Sequence, residues 1–279
     1  MTRVRRSIST LTIFLALFAL LPVSAAFAED TPQAVYTVKA LNEQMVMALA
    51  WVQTSAEYRE LCYQAFNLAA MDVDKALATV KAGDKPLALI ADLDETLIDN
   101  SAYDAGLVGR DAAYSGKTWT EWELAAQSRA IPGAVDFLNY AAKKGVAIYY
   151  VTNRDQAGLP GTLKNLAALG FPFADAEHVM VGSGNKQPRF DQVAQNYNVA
   201  LYMGDNESDL PIGGYGKSLA DRNALVDQNK DKMGIAFIVL PNPVYGDWEP
   251  AMAKGYWGLT PKAKSEARKA NFYTWIPQQ

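Results

Sequence analysis

Leu87-Ala88-Leu89-Ile90-Ala91 runs directly into Asp92-Leu93-Asp94-Glu95-Thr96, and these ten residues decide the fold. A short run that is apolar on both faces reads as the interior strand of a parallel sheet. Four more such runs follow, at Val146–Val151, His178–Val181, Val199–Met203 and Ile235–Leu240. Helix-like stretches lie between them. Pro132–Lys144 opens on a proline and stops at Gly145, and Pro160–Leu169 stops at Gly170; Gln187–Tyr197 and Leu219–Lys232 come after. Strand and helix alternate, so the expected fold is α/β, a doubly wound parallel sheet.

Upstream of the first strand, residues 32 to about 80 read as helix. Glycine is absent there, and Leu41, Met45, Ala48, Leu49 and Val52 recur in steps of three and four until Gly83 and Pro86 end the region. The chain begins differently again. Arg3, Arg5 and Arg6 precede an apolar run from Ile13 to Leu21, then Pro22 and a small-residue end at Ala26-Phe27-Ala28. That is the layout of a cleavable secretory signal. An uncleaved anchor is the alternative, which Pro22 and the small residues disfavour. No cysteine stands there to carry a lipid. The expected organisation is a signal peptide at 1–28, a helical region at 29–86 and a catalytic core at 87–279. The expected location is the periplasm or the medium.

Composition narrows the chemistry. Half of the 279 residues are apolar and 20% are charged, enough to bury a core. The single cysteine, Cys62, excludes an intramolecular disulfide, and the single histidine, His178, excludes a two-histidine zinc site. Removing the first 28 residues, which hold three arginines and no acid, moves the net charge from −4 to −7. An acidic exported chain without a Lys/Arg block is a poor nucleic-acid binder. Carboxylates, lysines, hydroxyls and a hard metal remain.

In an open parallel sheet, ligands bind beyond the carboxyl ends of the strands. The first run is followed by Asp92 and Asp94, the second by Thr152-Asn153-Arg154-Asp155, the third by Gly182-Ser183-Gly184-Asn185-Lys186, and the fourth by Gly204-Asp205-Asn206-Glu207-Ser208-Asp209. Asp92 and Asp94, two apart, are expected to share a side of the extended strand end. Converging carboxylates repel by about 4 kcal/mol per close pair at an effective dielectric near 20. A dication with oxygen ligands relieves that repulsion, and Mg²⁺ suits a few carboxylates plus a substrate phosphate. A carboxylate is also a competent nucleophile toward phosphorus. One connection is too long for a simple loop: Ile98 to Ile131 carries Tyr103, Tyr114, Trp119 and Trp122 and reads as a cap over the strand ends.

The DLDET string at 92–96, the hydroxyl after the second strand, the lysine before the fourth and GDNxxxD at 204–209 resemble the haloacid dehalogenase-like phosphohydrolases. The stretch Ile90–Tyr103 is closer still to the bacterial class C acid phosphatases of the lipoprotein e(P4) type, which are exported 5′-nucleotidases. Trp51–Tyr58, Tyr63–Asn67, Pro132–Ala134 and Leu240–Glu249 extend the likeness to most of residues 45–250. The resemblance implies a Rossmann-like core with a cap at about 98–131. It implies Asp92 as nucleophile and metal ligand, and Asp94 as general acid/base with its main-chain carbonyl on Mg²⁺. Asp205 would be a further ligand, with Asp209 supporting the metal shell. Thr152, Asn153 and Lys186 would bind phosphate, and Trp119 and Tyr245 would stack on a nucleobase. It also suggests a homodimer. The partner implied is a small phosphomonoester, a nucleoside monophosphate above all, and no stable membrane anchor is expected once the signal is removed.

Two positions depart from the family pattern, Glu207 and Leu210, and Glu207 is expected either near the metal or facing solvent. Ser115-Gly116-Lys117-Thr118 lacks the earlier glycine and strand of a P-loop. His178 and Cys62 read as structural. The rival readings are a phosphotransferase to alcohols and a non-catalytic scaffold that keeps the fold.

Overall fold

A computed structural model describes residues 35–277, so the expected signal peptide lies outside the described residues. The expected helical region is three helices, α1 (Val38–Asn42), α2 (Val46–Thr54) and α3 (Ala56–Thr79). The region breaks at Ser55. That residue is extended (φ −81°, ψ 145°), and its side chain caps α3 by accepting from the Tyr58 N–H. Strand β1 (Leu87–Ala91) comes next, as expected. The cap then contributes β2 (Ile98–Asp99), α4 (Ser101–Ala105), α5 (Gly116–Ala125) and β3 (Arg129–Ala130). It is largely helical, closed at its base by the antiparallel pair β2–β3.

The alternation then runs α6 (Ala134–Lys143), β4 (Ala147–Thr152), α7 (Leu159–Leu169), β5 (Val179–Val181), α8 (Gln187–Asn196), β6 (Asn198–Gly204), α9 (Leu219–Gln228) and β7 (Phe237–Val239). A last helix, α10 (Pro261–Ala270), is capped by Thr260. Strands β5 and β7 are shorter than their apolar runs, because His178 and Ile235 lie just outside the ladder. The five long-range strands form one sheet in the order β5-β4-β1-β6-β7, every pair parallel. All five therefore end at the same edge.

Side-chain alternation along β1 divides the core. Leu87, Leu89 and Ala91 join the larger cluster, which includes Phe66, Val73, Phe137 and Leu138 from α3 and α6. Ala88 and Ile90 join the other face, covered by Phe190 and Val193 of α8. Helix α3 lies on α6 and crosses β6 and β7. Gly133, at φ +90° before α6, tolerates the close approach of α3: a Cβ there would lie 3.1 Å from both Phe66 and Tyr63. Cys62 is fully buried in α3 and its thiol is pushed up to about 11, chiefly by burial. His178 sits against Tyr149 and Phe173, with Nδ1 2.8 Å from Asp175. Both are packing residues, as expected.

The cap meets the N-terminal helices at α4 and α2, where Gln53 donates to Ser101 Oγ at 3.0 Å. Asp104 of α4 is buried, and its Oδ2 has no hydrogen-bond partner among the described residues. Burial first, and the Asp99 charge second, push its carboxyl from 3.8 up to about 7. The folded state thus favours the protonated form. Its contribution to stability is complete at or below the ordinary carboxylate range and is lost as pH rises toward 7. Asp104→Asn should therefore stabilise the fold at pH 8 by about 1–3 kcal/mol, with no gain at pH 4. Urea midpoints at the two pH values check this; equal shifts at both would refute it.

Candidate active site

The first group of side chains gathers at the ends of β1 and β6. The Asp92 N–H donates to the Met203 carbonyl at 2.9 Å, extending the β1–β6 ladder one residue into the site. Lys186, at the start of α8, donates Nζ to Asp92 Oδ1 at 2.5 Å and lies 2.7 Å from Asp209 Oδ1. All three side chains are at most 8% exposed. Carboxylate oxygens of Asp92, Asp205 and Asp209 lie within 4.8 Å of one another. Asp205 accepts from Thr96 Oγ1 and from the amides of Asn206 and Asn242. Asp209 accepts from the Asn206 N–H at 2.9 Å and packs on Gly204, where a Cβ would overlap it. Burial and neighbouring acids raise Asp92 to about 7, with Lys186 opposing, and hold Asp205 well above the carboxylate range. Three hard oxygens, one lysine and surplus negative charge fit a divalent cation. Asp209 belongs to this cluster as fully as Asp92 and Asp205, the two expected side-chain ligands.

A second group forms around Asp94. The chain turns sharply there, because Leu93 accepts from Thr96, Leu97 and Ile98, and Glu95 takes a left-handed φ of 56°. A non-glycine residue in that region is uncommon, and the loop is held from outside. Glu95 is buried and accepts from the Asn100 N–H at 2.7 Å and from the Tyr245 hydroxyl. Asp94 accepts from Arg154 Nη2 at 2.7 Å and Nε at 3.0 Å, from Asn100 Nδ2 at 2.8 Å and from Thr152 Oγ1 at 3.2 Å. Asp92 and Asp94, expected to share a side of an extended strand end, both lie at this edge. Their carboxylates nevertheless have separate partners, because the extended chain ends at Ala91 and the turn reorients the next residues.

The remaining expected residues divide. Thr152 is fully buried, and its hydroxyl is engaged with Asp94 and the Arg154 N–H. Asn153 is exposed, with its carbonyl oxygen accepting from Arg189 Nη2 at 2.9 Å. Trp119 is half-buried on α5, edge-on to Tyr103 at 5.1 Å and 5.8 Å from Arg154 Cζ. Tyr245 reaches the acidic loop through its hydroxyl on Glu95 rather than standing free. Glu207 is neither at the cluster nor in solvent: its side chain is 6% exposed, packed on Gly214 and 3.2 Å from Arg222 Nε.

Sequence reasoning missed Arg154, Asn100, Glu95 and Asn242. Arg154 joins Asp94, Thr162 Oγ1 at 2.9 Å and Asn100 Oδ1 at 3.3 Å. Asn100 joins Asp94 and Glu95 and accepts from Trp122 and Ser128. The signal was available for Arg154, which stands two residues past the second strand's threonine.

A five-stranded parallel sheet with acids from two strand ends, a buried lysine and a cap over the edge defines a phosphohydrolase of the haloacid dehalogenase type. The family described as HAD superfamily, subfamily IIIB (acid phosphatase), matches residues 19–248, and the chain belongs to it. The crystal structure of the class C acid phosphatase from Bacillus anthracis superposes with a TM-score of 0.81 at 38% identity, covering 85% of this chain and 99% of that one. The same enzyme with tungstate bound matches at the same TM-score and identity, over 85% of this chain and 100% of that one. The chain is thus an acid phosphatase, a hydrolase of phosphate monoesters. Phosphatases of this family use a divalent metal, and three acidic side chains of this site lie close enough together to hold one.

Arg154→Lys keeps the charge but loses the guanidinium fork that grips Asp94. With circular dichroism unchanged, kcat for an aryl phosphate should fall on the order of 100-fold; a fall below about threefold would show that Asp94 needs no such grip.

Proposed function

We propose that the protein is an exported, Mg²⁺-dependent acid phosphatase that hydrolyses nucleoside 5′-monophosphates through an aspartyl-phosphate on Asp92. The observation that carries this reading is the pairing of two differently held aspartates. Asp92 lies against a buried lysine and two further acids, and Asp94, two residues on, lies against an arginine and two neutral donors.

In this reading, Asp92, Asp205, Asp209 and the Asp94 main-chain carbonyl would hold Mg²⁺. The metal, when bound, neutralises phosphate and carboxylate charge and keeps Asp92 ionised. Lys186 takes up the remaining phosphate charge. Asp92 attacks phosphorus in line, forming an acyl phosphate as the ester P–O bond breaks. Protonated Asp94 gives its proton to the departing alkoxide, releasing the alcohol. The Asp94 carboxylate then takes a proton from water, whose oxygen attacks the acyl phosphate and releases inorganic phosphate. Asp92 and protonated Asp94 are regenerated. Thr152, whose hydroxyl is spent on Asp94, acts here through its neighbour, and Asn153 from the exposed rim. Positioning and charge neutralisation supply most of the rate. Because Asp94 must start protonated, an acidic optimum is expected.

Tungstate, bound in the crystal of the Bacillus anthracis relative, is a tetrahedral oxyanion like phosphate, which supports reading the substrate as a phosphate ester. The nucleotide preference rests on Trp119 and Tyr245 beside the acid loop. Export rests on the N-terminal pattern. Among the described residues, no helix is long and apolar enough to cross a membrane. A homodimer is the assembly the resemblance suggests.

The covalent scheme is tested by Asp92→Asn, which should abolish turnover and acid-stable labelling from a ³²P-ester while leaving the circular dichroism spectrum unchanged. Chelator should silence the wild type and Mg²⁺ should restore it. Wild-type-like turnover by the Asn variant would end the scheme. Nucleotide preference is read from kcat/KM for a nucleoside monophosphate against glycerol phosphate. Base stacking is worth about 1–3 kcal/mol, so Trp119→Ala should erase a preference of roughly 5- to 100-fold. Equal efficiency in wild type would refute it.

A further inference from the structure

The cap helix α5 meets the core on two glycines. Gly158 precedes α7 and Gly161 lies in its first turn. A Cβ on Gly158 would overlap the Glu123 carboxylate; one on Gly161 would collide with the Glu123 carbonyl and come 2.5 Å from Leu124 Cα. Gly158 has an ordinary right-handed φ of −82°, and Gly161 is helical. Neither position needs glycine for its backbone, so close approach is what the two glycines provide.

Glu123 fills the seat. Its side chain is 1% exposed, neither oxygen has a hydrogen-bond partner among the described residues, and Arg154 Nε stands 3.7 Å away. A buried carboxylate so poorly paired adds little to stability. Burial accordingly raises it to about 7, with Arg154 opposing and the Trp119 indole one turn earlier also lowering it. The next point of attachment is Trp122, whose Nε1 donates to Asn100 Oδ1 at 2.9 Å. Trp122 thus fastens α5 to Asn100, and the seated Glu123 sets it beside Arg154; these are the two residues that grip Asp94. Trp119 rides on the same helix, beside Arg154.

We propose that the Gly158–Gly161–Glu123 seat sets leaving-group specificity. It fixes the height of α5 over the core, and with it the separation between the acid Asp94 and the aromatic Trp119 that receives the alcohol half of the ester. The partner it selects is a flat, unsaturated leaving group such as a nucleoside. Glu123 is a positioning residue that touches neither phosphate nor nucleophile. The inference rests on Trp119 as the leaving-group aromatic.

Gly161→Ala tests it, because backbone rather than a flexible side chain blocks the new Cβ and α5 must move. The kcat/KM for a nucleoside monophosphate should fall about 5- to 100-fold, chiefly through KM, while that for glycerol phosphate stays within about twofold. Glu123→Ala should do the same, and Glu123→Gln, which refills the seat, should retain most of the selectivity. If Gly161→Ala does not fold, the Glu123 pair decides. Equal losses on both esters, or unchanged selectivity, would overturn the proposal. Trp119→Ala measured alongside separates the two ideas. Selectivity lost there but kept in the seat variants sinks the seat alone; selectivity lost only in the seat variants sinks the reading of Trp119.

Discussion

Two buried carboxylates on one ammonium group, with a half-buried third beside them, are the constraint on which the rest depends. Lys186 balances Asp92 and Asp209 at 2.5 and 2.7 Å, and Asp205 brings a further negative charge into the same space. Each uncompensated close pair costs about 4 kcal/mol at an effective dielectric near 20, and removing a partner from a buried pair costs about 3–5 kcal/mol. The fold tolerates this because the carboxylates receive Thr96, Asn206 and Asn242 as donors and because the cluster stands ready for a dication and a dianionic ester. The same crowding destabilises the resting protein and creates affinity for any ligand that relieves it.

Such crowding requires the acids to arrive from separate strands. β1 and β6 are neighbours in a sheet whose strands all run one way, so residues just past each strand meet. Gly204 lets Asp209 fold back against the strand that carries Asp205. Beyond Ala91 the chain stops being extended. The left-handed Glu95, pinned by Asn100 and Tyr245, turns Asp94 toward Arg154. Two aspartates two residues apart thereby acquire opposite surroundings, one beside a cluster of like charges and one gripped by donors.

The sheet was legible because its signals are local. Apolar runs bounded by Gly and Pro mark strands and helices, and the polar residues after each run mark the edge where they gather. The parts that were not legible depend on side-chain contacts that apolar periodicity does not carry. Nothing in the periodicity of residues 32–80 marks Ser55 as a break until its hydroxyl is seen capping the next helix. Glu207 sits among metal-type acids in sequence, yet Gly214 and Arg222, distant along the chain, draw it away. Tyr245 reads as a free aromatic until its hydroxyl is found on Glu95. Arg154 was in plain view, but an arginine beside a threonine is ordinary until its guanidinium is seen to grip Asp94 across 60 residues.

The cap attaches to the Asp94 side of this site and not to the Asp92 side. Trp122 and Glu123 reach Asn100 and Arg154, whereas Asp92, Asp205, Asp209 and Lys186 are held by strand ends and α8. Phosphate chemistry needs fixed charges, and a packed sheet supplies them with little freedom to move. The alcohol that leaves differs from one ester to another, and the group that protonates it must face it. In the mechanism proposed above, with Asp94 as proton donor, joining the cap to Asp94's own partners lets the leaving-group pocket be altered without disturbing the charges that hold phosphorus. A change in α5 should then alter which ester is accepted well before it alters how the ester is cleaved.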